Sequence, residues 1–211
     1  MTTLIFVRHG QSKSNRSRVF TGHQNPPLTQ LGRDQAERTA AYLDRFPIAR
    51  IYSSDLLRAV QTAEPTAKRR GLSIINEPGL RELYAGDWEG MPFDRISTGY
   101  PETYRVLKHD IGRLQCPNGE SFVELLHRVS ACVDRIVREN RGSCIAVFSH
   151  ATPLRAMGCV WYGIPAERAV ELPGGPNASV SVVEYDDDLR PTVLQYAYGD
   201  HLSGEITVLQ I

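Results

Sequence analysis

Two histidines in this sequence follow apolar segments, and their positions favour a binding site. Arg8 and His9 come directly after the apolar run 4–7, and His150 follows the largely apolar run 144–149. A strand without a polar face is covered on both sides, as in mainly parallel sheets, and ligands bind such sheets at the carboxyl ends of the strands. If the two strands are neighbours, the imidazoles face each other and can hold an anion. The alternatives are an ordinary surface pair at Arg8 and His9 and a structural role for His150.

Two more charged residues have positions that favour the same crevice. Ser54 and Asp55 are typical of a helix N-terminus, which places Arg58 in the first helical turn. Its guanidinium can then reach back over the strand end, although a place on the helix surface is the simpler interpretation. Glu82 lies in a glycine-punctuated loop, where catalytic acids are common. Of the other acids, we interpret Asp55 as a helix cap and Glu89 as structural.

The sequence carries a longer series of short motifs that spans nearly the whole chain. The series comprises Arg8-His9-Gly10 with Asn15, Phe20-Thr21-Gly22, Pro27-Leu28-Thr29, Gly32, Gln35-Ala36, Ser53-Ser54-Asp55 with Arg58, Gln61, Thr62-Ala63, Leu80-Arg81-Glu82, Gly86, Trp88-Glu89-Gly90, Gly119-Glu120-Ser121, Ser149-His150 and Asn177-Ala178-Ser179. In content and order it resembles the histidine phosphatase superfamily, the phosphoglycerate-mutase-like proteins defined by an Arg-His-Gly motif. That tripeptide alone is weakly specific, whereas the ordered set is highly specific.

The resemblance implies a fold and a domain organisation. We expect an α/β protein with a mainly parallel sheet flanked by helices on both faces, which is a three-layer sandwich. A single domain would cover residues 1–211, with 91–120 as a variable, lid-like insertion.

The resemblance also implies catalytic roles. His9 would be the nucleophile, since a neutral imidazole with a reference pKa of ~6.5 can attack phosphorus without a separate base. Arg8, Arg58 and a protonated His150 would surround the transferred phosphoryl group and offset its negative charge. Glu82 would protonate the leaving oxygen and then activate water against phosphohistidine.

Four further residues would complete the substrate site. Asn15 would donate its amide to the phosphate, and Thr21 and Gly22 would contribute to the substrate pocket. The backbone N–H of Ala151 would face the phosphate. No metal ligand set is expected, because arginines and histidines supply the positive charge.

The function implied is hydrolysis of a small phosphorylated metabolite through a phosphohistidine intermediate. Residues 27–29 and 35–36 are typical of the phosphatase branch, and Ala85 stands where mutases usually carry a tyrosine. Residues 11–12 and 20–22 favour the alternative, a phosphoglycerate mutase dependent on 2,3-bisphosphoglycerate. No cofactor is expected otherwise. A more distant alternative is a non-catalytic binding module of the same fold, although the residues expected in catalysis are all present.

The segment 91–120 carries a cluster of basic residues that has two interpretations. Arg105, Lys108 and His109 lie within one turn if the segment is helical, so they can hold a second anionic group of the substrate. A solvated helix face is the other interpretation.

The composition restricts which partners and which cell compartment are expected. The chain has 24 Lys and Arg against 24 Asp and Glu, so its charge favours neither a nucleic acid nor a membrane surface. No apolar stretch approaches the ~20 residues that span a bilayer. The four cysteines lack metal-ligand spacing and are expected to be reduced core residues of a cytoplasmic protein. A homodimer is left open.

Local signals predict several elements. Helices are expected to begin near Thr29, Ser54, Ser121 and Pro153, and Ser121 is the first residue of a capping box. The segment 180–196 is expected to form two strands joined by an acidic turn.

Overall fold

The computed structural model describes residues 1–202, and its centre is a six-stranded sheet. The strands are β1 (Thr2–Arg8), β2 (Ile48–Ser53), β3 (Ile74–Asn76), β4 (Cys144–Ser149), β5 (Val180–Tyr185) and β6 (Pro191–Tyr198). They lie in the order β3-β2-β4-β1-β5-β6, with the first four parallel and β5 and β6 antiparallel. The expected mainly parallel sheet and the C-terminal hairpin are confirmed. The last nine positions of the expected domain, 203–211, lie outside the described residues.

Seven α-helices surround the sheet within residues 1–202. They are α1 (Lys13–Ser17), α2 (Gln30–Leu43), α3 (Leu57–Arg70), α4 (Phe93–Gly99), α5 (Pro101–His109), α6 (Phe122–Glu139) and α7 (Ala151–Tyr162). Short 3-10 turns cover Pro78–Leu80, Gly86–Trp88, Ile111–Arg113, Ala166–Glu171 and Asp200–Leu202. In this part of the chain, no helix is both long and apolar enough to cross a membrane.

Strand β1 separates two hydrophobic cores. Leu4 and Phe6 pack into the core that includes α6 and α7, whereas Ile5 and Val7 pack into the core that includes α2 and α3. Successive strand residues point to opposite faces, so a strand buried on both sides needs an unbroken apolar run. The expected three-layer arrangement is confirmed.

Strands β1 and β4 are direct neighbours, which brings the two histidine-bearing ends together. In their parallel register Arg8 pairs with Ser149, so His9 and His150 both follow at the same edge of the sheet. The condition on which the sequence interpretation depended is therefore met.

Helix starts follow their capping residues in two of the expected places. The Thr29 hydroxyl accepts the backbone N–H of Gly32 at the start of α2. At the start of α6, Ser121 and Glu124 form the expected capping box. Helix α7 begins at Ala151, so Pro153 occupies its third position rather than its first.

The interpretation of Asp55 as a helix cap is wrong. Helix α3 begins at Leu57, and Leu56 at its N-cap makes no side-chain hydrogen bond. Asp55 instead forms an ion pair with Arg81, whose Nε donates to Oδ1 at 2.7 Å. A two-pronged bond to a guanidinium is stronger than a single bond to a backbone N–H, so the carboxylate turns towards the arginine.

Candidate active site

A cavity opens at the carboxyl ends of β1 and β4 and collects most of the predicted site residues. Its lining includes Arg8, His9, Asn15, Thr21, Arg58, Glu82 and Ala151. Gly22 and His150 are not part of the lining. His150 is fully buried beside His9, with the ring centroids 5.1 Å apart.

The geometry around His9 prepares one nitrogen for attack. Its Nδ1 donates to the carbonyl oxygen of Gly10 at 2.7 Å, and because a carbonyl only accepts, Nε2 keeps its lone pair. Burial lowers the pKa of His9 well below its usual value, and the positive charges of Arg58 and Arg8 lower it further. The imidazole is therefore neutral near pH 7, as a nucleophile must be.

Backbone carbonyls hold the two arginines that flank His9. Arg8 donates through Nη1 to the carbonyl of Gly174 at 3.3 Å and to that of the next residue. Arg58 donates to the carbonyls of Gly22 and Gln24, both at 2.9 Å. Burial lowers the pKa of each arginine to about 10, so both remain charged at neutral pH. Two fixed cations next to a neutral imidazole form a site suited to a phosphoryl group.

Gly22 serves the site in a different way from the one expected. It does not line the cavity; its carbonyl oxygen accepts from Arg58. A Cβ at Gly22 would overlap the Glu89 carboxylate and the Leu83 carbonyl, so only glycine fits this close approach. The contact gives Gly22 an indirect role through Arg58, and its expected contribution to the substrate pocket stays a prediction.

Glu89 is structural, as the sequence indicated. Its carboxylate accepts backbone N–H groups from His23 at 2.7 Å, Gln24 at 2.9 Å and Ala85 at 3.1 Å. These bonds tie the loop that holds Arg58 to the loop that carries Glu82.

Glu82 lines the same cavity as His9. Oε1 accepts the backbone N–H of Leu83 at 2.9 Å, and Oε2 lies 3.5 Å from the backbone nitrogen of Thr152. Its side chain is 9% exposed. This carboxyl group can exchange a proton with a substrate oxygen in the cavity.

A residue that the sequence reasoning missed, Arg128 of α6, holds the loop before and at Glu82. It donates to the carbonyls of Gly79 at 2.9 Å, Arg81 at 3.1 Å and Glu82 at 3.3 Å. Its Nε and Nη2 also donate to the two carboxylate oxygens of Glu120, both at 2.8 Å. The only signal for this contact was Glu120 within the motif series, because the partner carbonyls carry no sequence signature.

Asn15 has its amide oriented by two donors. Its Oδ1 accepts the backbone N–H of Ser12 at 3.0 Å and Nδ2 of Asn177 at 3.1 Å. Because the oxygen is engaged, the NH2 group of Asn15 is the part of the amide available to a ligand. Asn177 belongs to a motif noted in the sequence, to which no role was assigned.

The surroundings of His150 bear on its charge. Burial lowers its pKa well below the usual value, and the positive charge of Arg58 acts in the same direction. This favours a neutral imidazole in the protein alone, and the expected protonation of His150 around a bound phosphoryl group stays a prediction. His150 Nε2 lies 2.8 Å from the Ser54 hydroxyl oxygen, which also accepts the backbone N–H of Leu56.

The cavity also has an apolar wall. It is formed by Val19, Phe20, Phe93, Leu107 and Ile111. The last three belong to the segment 91–120, so this segment supplies much of the apolar wall.

The basic cluster of α5 lies outside the cavity. The helix turns Leu107 inward and leaves Arg105, Lys108 and His109 exposed. Arg105 forms an ion pair with Glu102 on the same helix at 3.5 Å. The second-anion interpretation is contradicted, and the solvated helix face is what the structure contains.

The cavity thus contains a neutral imidazole with a free Nε2, two buried arginines and a carboxyl group. This set of side chains is suited to binding and transferring a phosphoryl group. The family model "Histidine phosphatase superfamily (branch 1)" matches residues 4–197. The chain belongs to this superfamily of enzymes.

Relatives carry the names of both phosphatases and mutases. The chain is 31% identical to phosphoserine phosphatase 1 of Hydrogenobacter thermophilus over 99% of its own length and 97% of the relative. It is 33% identical to the probable phosphoglycerate mutase GpmB of Yersinia pestis over 89% of its length and 86% of the relative. The solved structure of Bacillus stearothermophilus YhfR superposes with a TM-score of 0.92 at 29% identity, covering 96% of this chain and all of that one.

Proposed function

We propose that this enzyme hydrolyses a small phosphomonoester through a phosphohistidine at His9. The observation that carries the proposal is the state of His9, which is buried, neutral and bonded through Nδ1 to Gly10. Nε2 is then the nitrogen that attacks phosphorus, with Arg8 and Arg58 placed to offset charge on the non-bridging oxygens.

The reaction runs in two balanced steps. In the first, His9 Nε2 forms a bond to phosphorus, the bond to the ester oxygen breaks, and Glu82 gives that oxygen its proton. In the second, Glu82 takes a proton from water, and the water oxygen attacks phosphorus and breaks the P–N bond. Inorganic phosphate leaves, and both side chains return to their starting states.

A phosphoglycerate mutase remains the second candidate. It is supported by the mutase-named relative at 33% identity. In that case 2,3-bisphosphoglycerate would prime His9, and the phosphoryl group would return to the sugar acid instead of passing to water.

A paired assay separates these functions. Release of phosphate from an aryl phosphate and from 3-phosphoglycerate is followed beside conversion of 3- to 2-phosphoglycerate, with and without 2,3-bisphosphoglycerate. We expect phosphate release that His9→Ala abolishes and that His127→Ala, a change at an exposed histidine of α6, leaves intact. Primer-dependent interconversion with little free phosphate would instead establish the mutase.

Further proposals concern the partners and the cellular location of this protein. We propose a small phosphorylated substrate as the partner, no nucleic acid or membrane, and a cytoplasmic location. In support, all four cysteines are buried and unpaired, as suits a reducing compartment. Size-exclusion chromatography with light scattering would decide between a monomer and a homodimer.

A further inference from the structure

We propose that the substrate is the phosphomonoester of an uncharged, largely apolar alcohol or phenol. This inference rests on the proposed function and concerns the group that leaves with the ester oxygen. Its basis is the lining of the cavity, which combines four charged or ionisable side chains with a group of apolar ones. Among the described lining residues, the charged or ionisable ones are Arg8, His9, Arg58 and Glu82, and the proposed mechanism uses all four on the phosphoryl group and the ester oxygen.

The apolar wall is built by two separate parts of the chain. Val19 and Phe20 come from the segment after α1, and Phe93, Leu107 and Ile111 come from the segment 91–120. Phe93 is 7% exposed, Leu107 4% and Ile111 3%. These side chains are fixed in the fold, so they present a formed surface to a substrate.

This surface is continuous with the larger hydrophobic core. The ring centroid of Phe20 lies 5.6 Å from that of Trp88 and 5.6 Å from that of Phe93, both in edge-on contacts. Leu107 and Ile111 belong to the same core cluster. A wall supported in this way does not rearrange easily to expose polar groups behind it.

Among the described lining residues, the arginines are Arg8 and Arg58, and there is no lysine. On α5, Arg105 is 70% exposed and pairs with Glu102, and the ammonium of Lys108 lies 5.8 Å from the Tyr104 ring centroid. Arg18, whose carbonyl accepts the backbone N–H of Phe93, is exposed and does not line the cavity. Arg155 of α7 lies near Gly174 and does not line the cavity either. A carboxylate next to the phosphoryl group would therefore lose its hydration against Phe93 and Leu107 without gaining a cation.

A sugar would meet a related difficulty. Its hydroxyl groups need hydrogen-bond partners when they leave water, and the side chains of Leu107, Ile111 and Phe93 offer none. Of the hydroxyl groups in the lining, that of Thr21 already donates to the carbonyl of Val19, and that of Ser12 already accepts the backbone N–H of Asn15. An apolar group gains free energy at the same surface by leaving water. The wall thus selects between leaving groups by their polarity.

A series of n-alkyl phosphates from methyl to hexyl tests this directly. The longer members differ little in leaving-group chemistry, so their kcat/KM reports burial of the chain. We expect kcat/KM to rise about fourfold for each added methylene until the wall is covered, from ~0.8 kcal/mol per buried CH2. Hexyl phosphate should exceed O-phosphoserine and glucose 6-phosphate by at least about 100-fold, the product of several such steps.

Two variants sharpen the test. Leu107→Ala should flatten the rise of kcat/KM with chain length, whereas Leu194→Ala, at an exposed leucine of β6, should leave it unchanged. Because the slope is measured within one preparation, partial unfolding lowers all values alike and does not imitate the effect.

The outcomes separate this inference from the proposed function. A flat series, or O-phosphoserine or glucose 6-phosphate used as well as hexyl phosphate, would overturn the inference alone. If no ester in the set releases phosphate in a His9-dependent way, the proposed function fails and the inference fails with it.

Discussion

The hydroxyl of Ser54 lies 2.8 Å from Nε2 of His150, at hydrogen-bond distance from a buried imidazole. A hydroxyl can donate or accept, and because the Ser54 oxygen already accepts the backbone N–H of Leu56, we expect its hydrogen to point at His150. A neutral His150 that accepts at Nε2 carries its proton on Nδ1. Within residues 1–202, that Nδ1 has no other hydrogen-bond partner.

We therefore predict that Ser54→Ala changes the tautomer of His150. The ¹⁵N spectrum of selectively labelled protein should show the Nδ1–H form in the wild type and a mixture in the variant. Loss of about one hydrogen bond should lower kcat/KM by about tenfold. Ser53→Ala removes an equally buried hydroxyl, which bonds to the carbonyl of Ser54 rather than to His150, and serves as the control. An unchanged tautomer in Ser54→Ala would contradict the assignment.

Stability should fall on acidification because three histidines have a lowered pKa in the folded protein. Burial is the largest cause for His9 and His150, and it also lowers the pKa of His201 to about 4. Their contribution to stability is complete above the unfolded pKa of ~6.5 and declines as the pH falls below it. Urea unfolding should show a loss approaching about 1.4 kcal/mol per pH unit for each histidine.

The control for this prediction is the same titration in His150→Gln. Without one titrating imidazole, the loss of stability between pH 6.5 and 5 should be smaller than in the wild type. Equal pH dependence in both proteins would show that the native His150 binds a proton as readily as the unfolded chain does.

Glu82→Gln should affect alkyl esters far more than activated aryl esters. An alkoxide needs a proton to leave, whereas 4-nitrophenolate does not, so alkyl phosphates should lose about 100-fold to 10,000-fold in kcat/KM. With 4-nitrophenyl phosphate, the missing base for water should produce a burst of nitrophenol followed by slow turnover. An equal loss on both esters, without a burst, would remove Glu82 from proton transfer.

Arg128→Lys should weaken the same proton transfer indirectly. Lysine keeps the charge but cannot bond at once to the carbonyls of Gly79, Arg81 and Glu82 and to Glu120. We expect about a tenfold loss with alkyl phosphates, the worth of one to two such bonds, and a much smaller loss with 4-nitrophenyl phosphate. A uniform loss on both esters would point to a purely structural role.

The matched control for Arg128→Lys is Arg135→Lys. Arg135 lies seven positions further along α6 and pairs with Glu77 and Glu139 at the surface. Its replacement should leave the ratio between the two esters unchanged.

Activity should survive treatment with EDTA. In the proposed mechanism, Arg8 and Arg58 supply the positive charge that a metal ion supplies in other phosphoryl-transfer enzymes. Phosphate release is measured before and after chelation and again after added Mg²⁺. Loss of turnover that the added metal restores would contradict this prediction.

The sequence predicted those features that local patterns determine. The apolar runs before His9 and His150 indicated strands that are covered on both faces. Because these strands, β1 and β4, are parallel neighbours, the two histidines lie at the same edge of the sheet. Capping residues likewise located the starts of α2 and α6, because a cap acts on its own helix.

What the sequence missed depends on contacts between distant segments. The carboxylate of Asp55 accepts from Arg81, and the carbonyl of Gly22 accepts from Arg58. Neither partner can be predicted from the spacing of residues in the sequence. The lowered pKa of His150 follows from burial near Arg58, an environment that only the assembled site defines.

The inward face of α5 was also hidden from motif reasoning. Its basic residues suggested a binding role, yet Leu107 is the side chain of this helix that enters the cavity. Amphipathic patterning favours the apolar face for packing, and here that face covers the active site.

Detection of phosphate on His9 is the most direct test of the account. The enzyme is mixed with 4-nitrophenyl phosphate, quenched in alkali within milliseconds and digested for mass spectrometry, using Glu82→Gln to slow the second step. We predict one phosphoryl group per chain on His9, stable in base, labile in acid and absent from His9→Ala. Phosphate release at the normal rate from His9→Ala, or label on a different residue, would contradict the central claim.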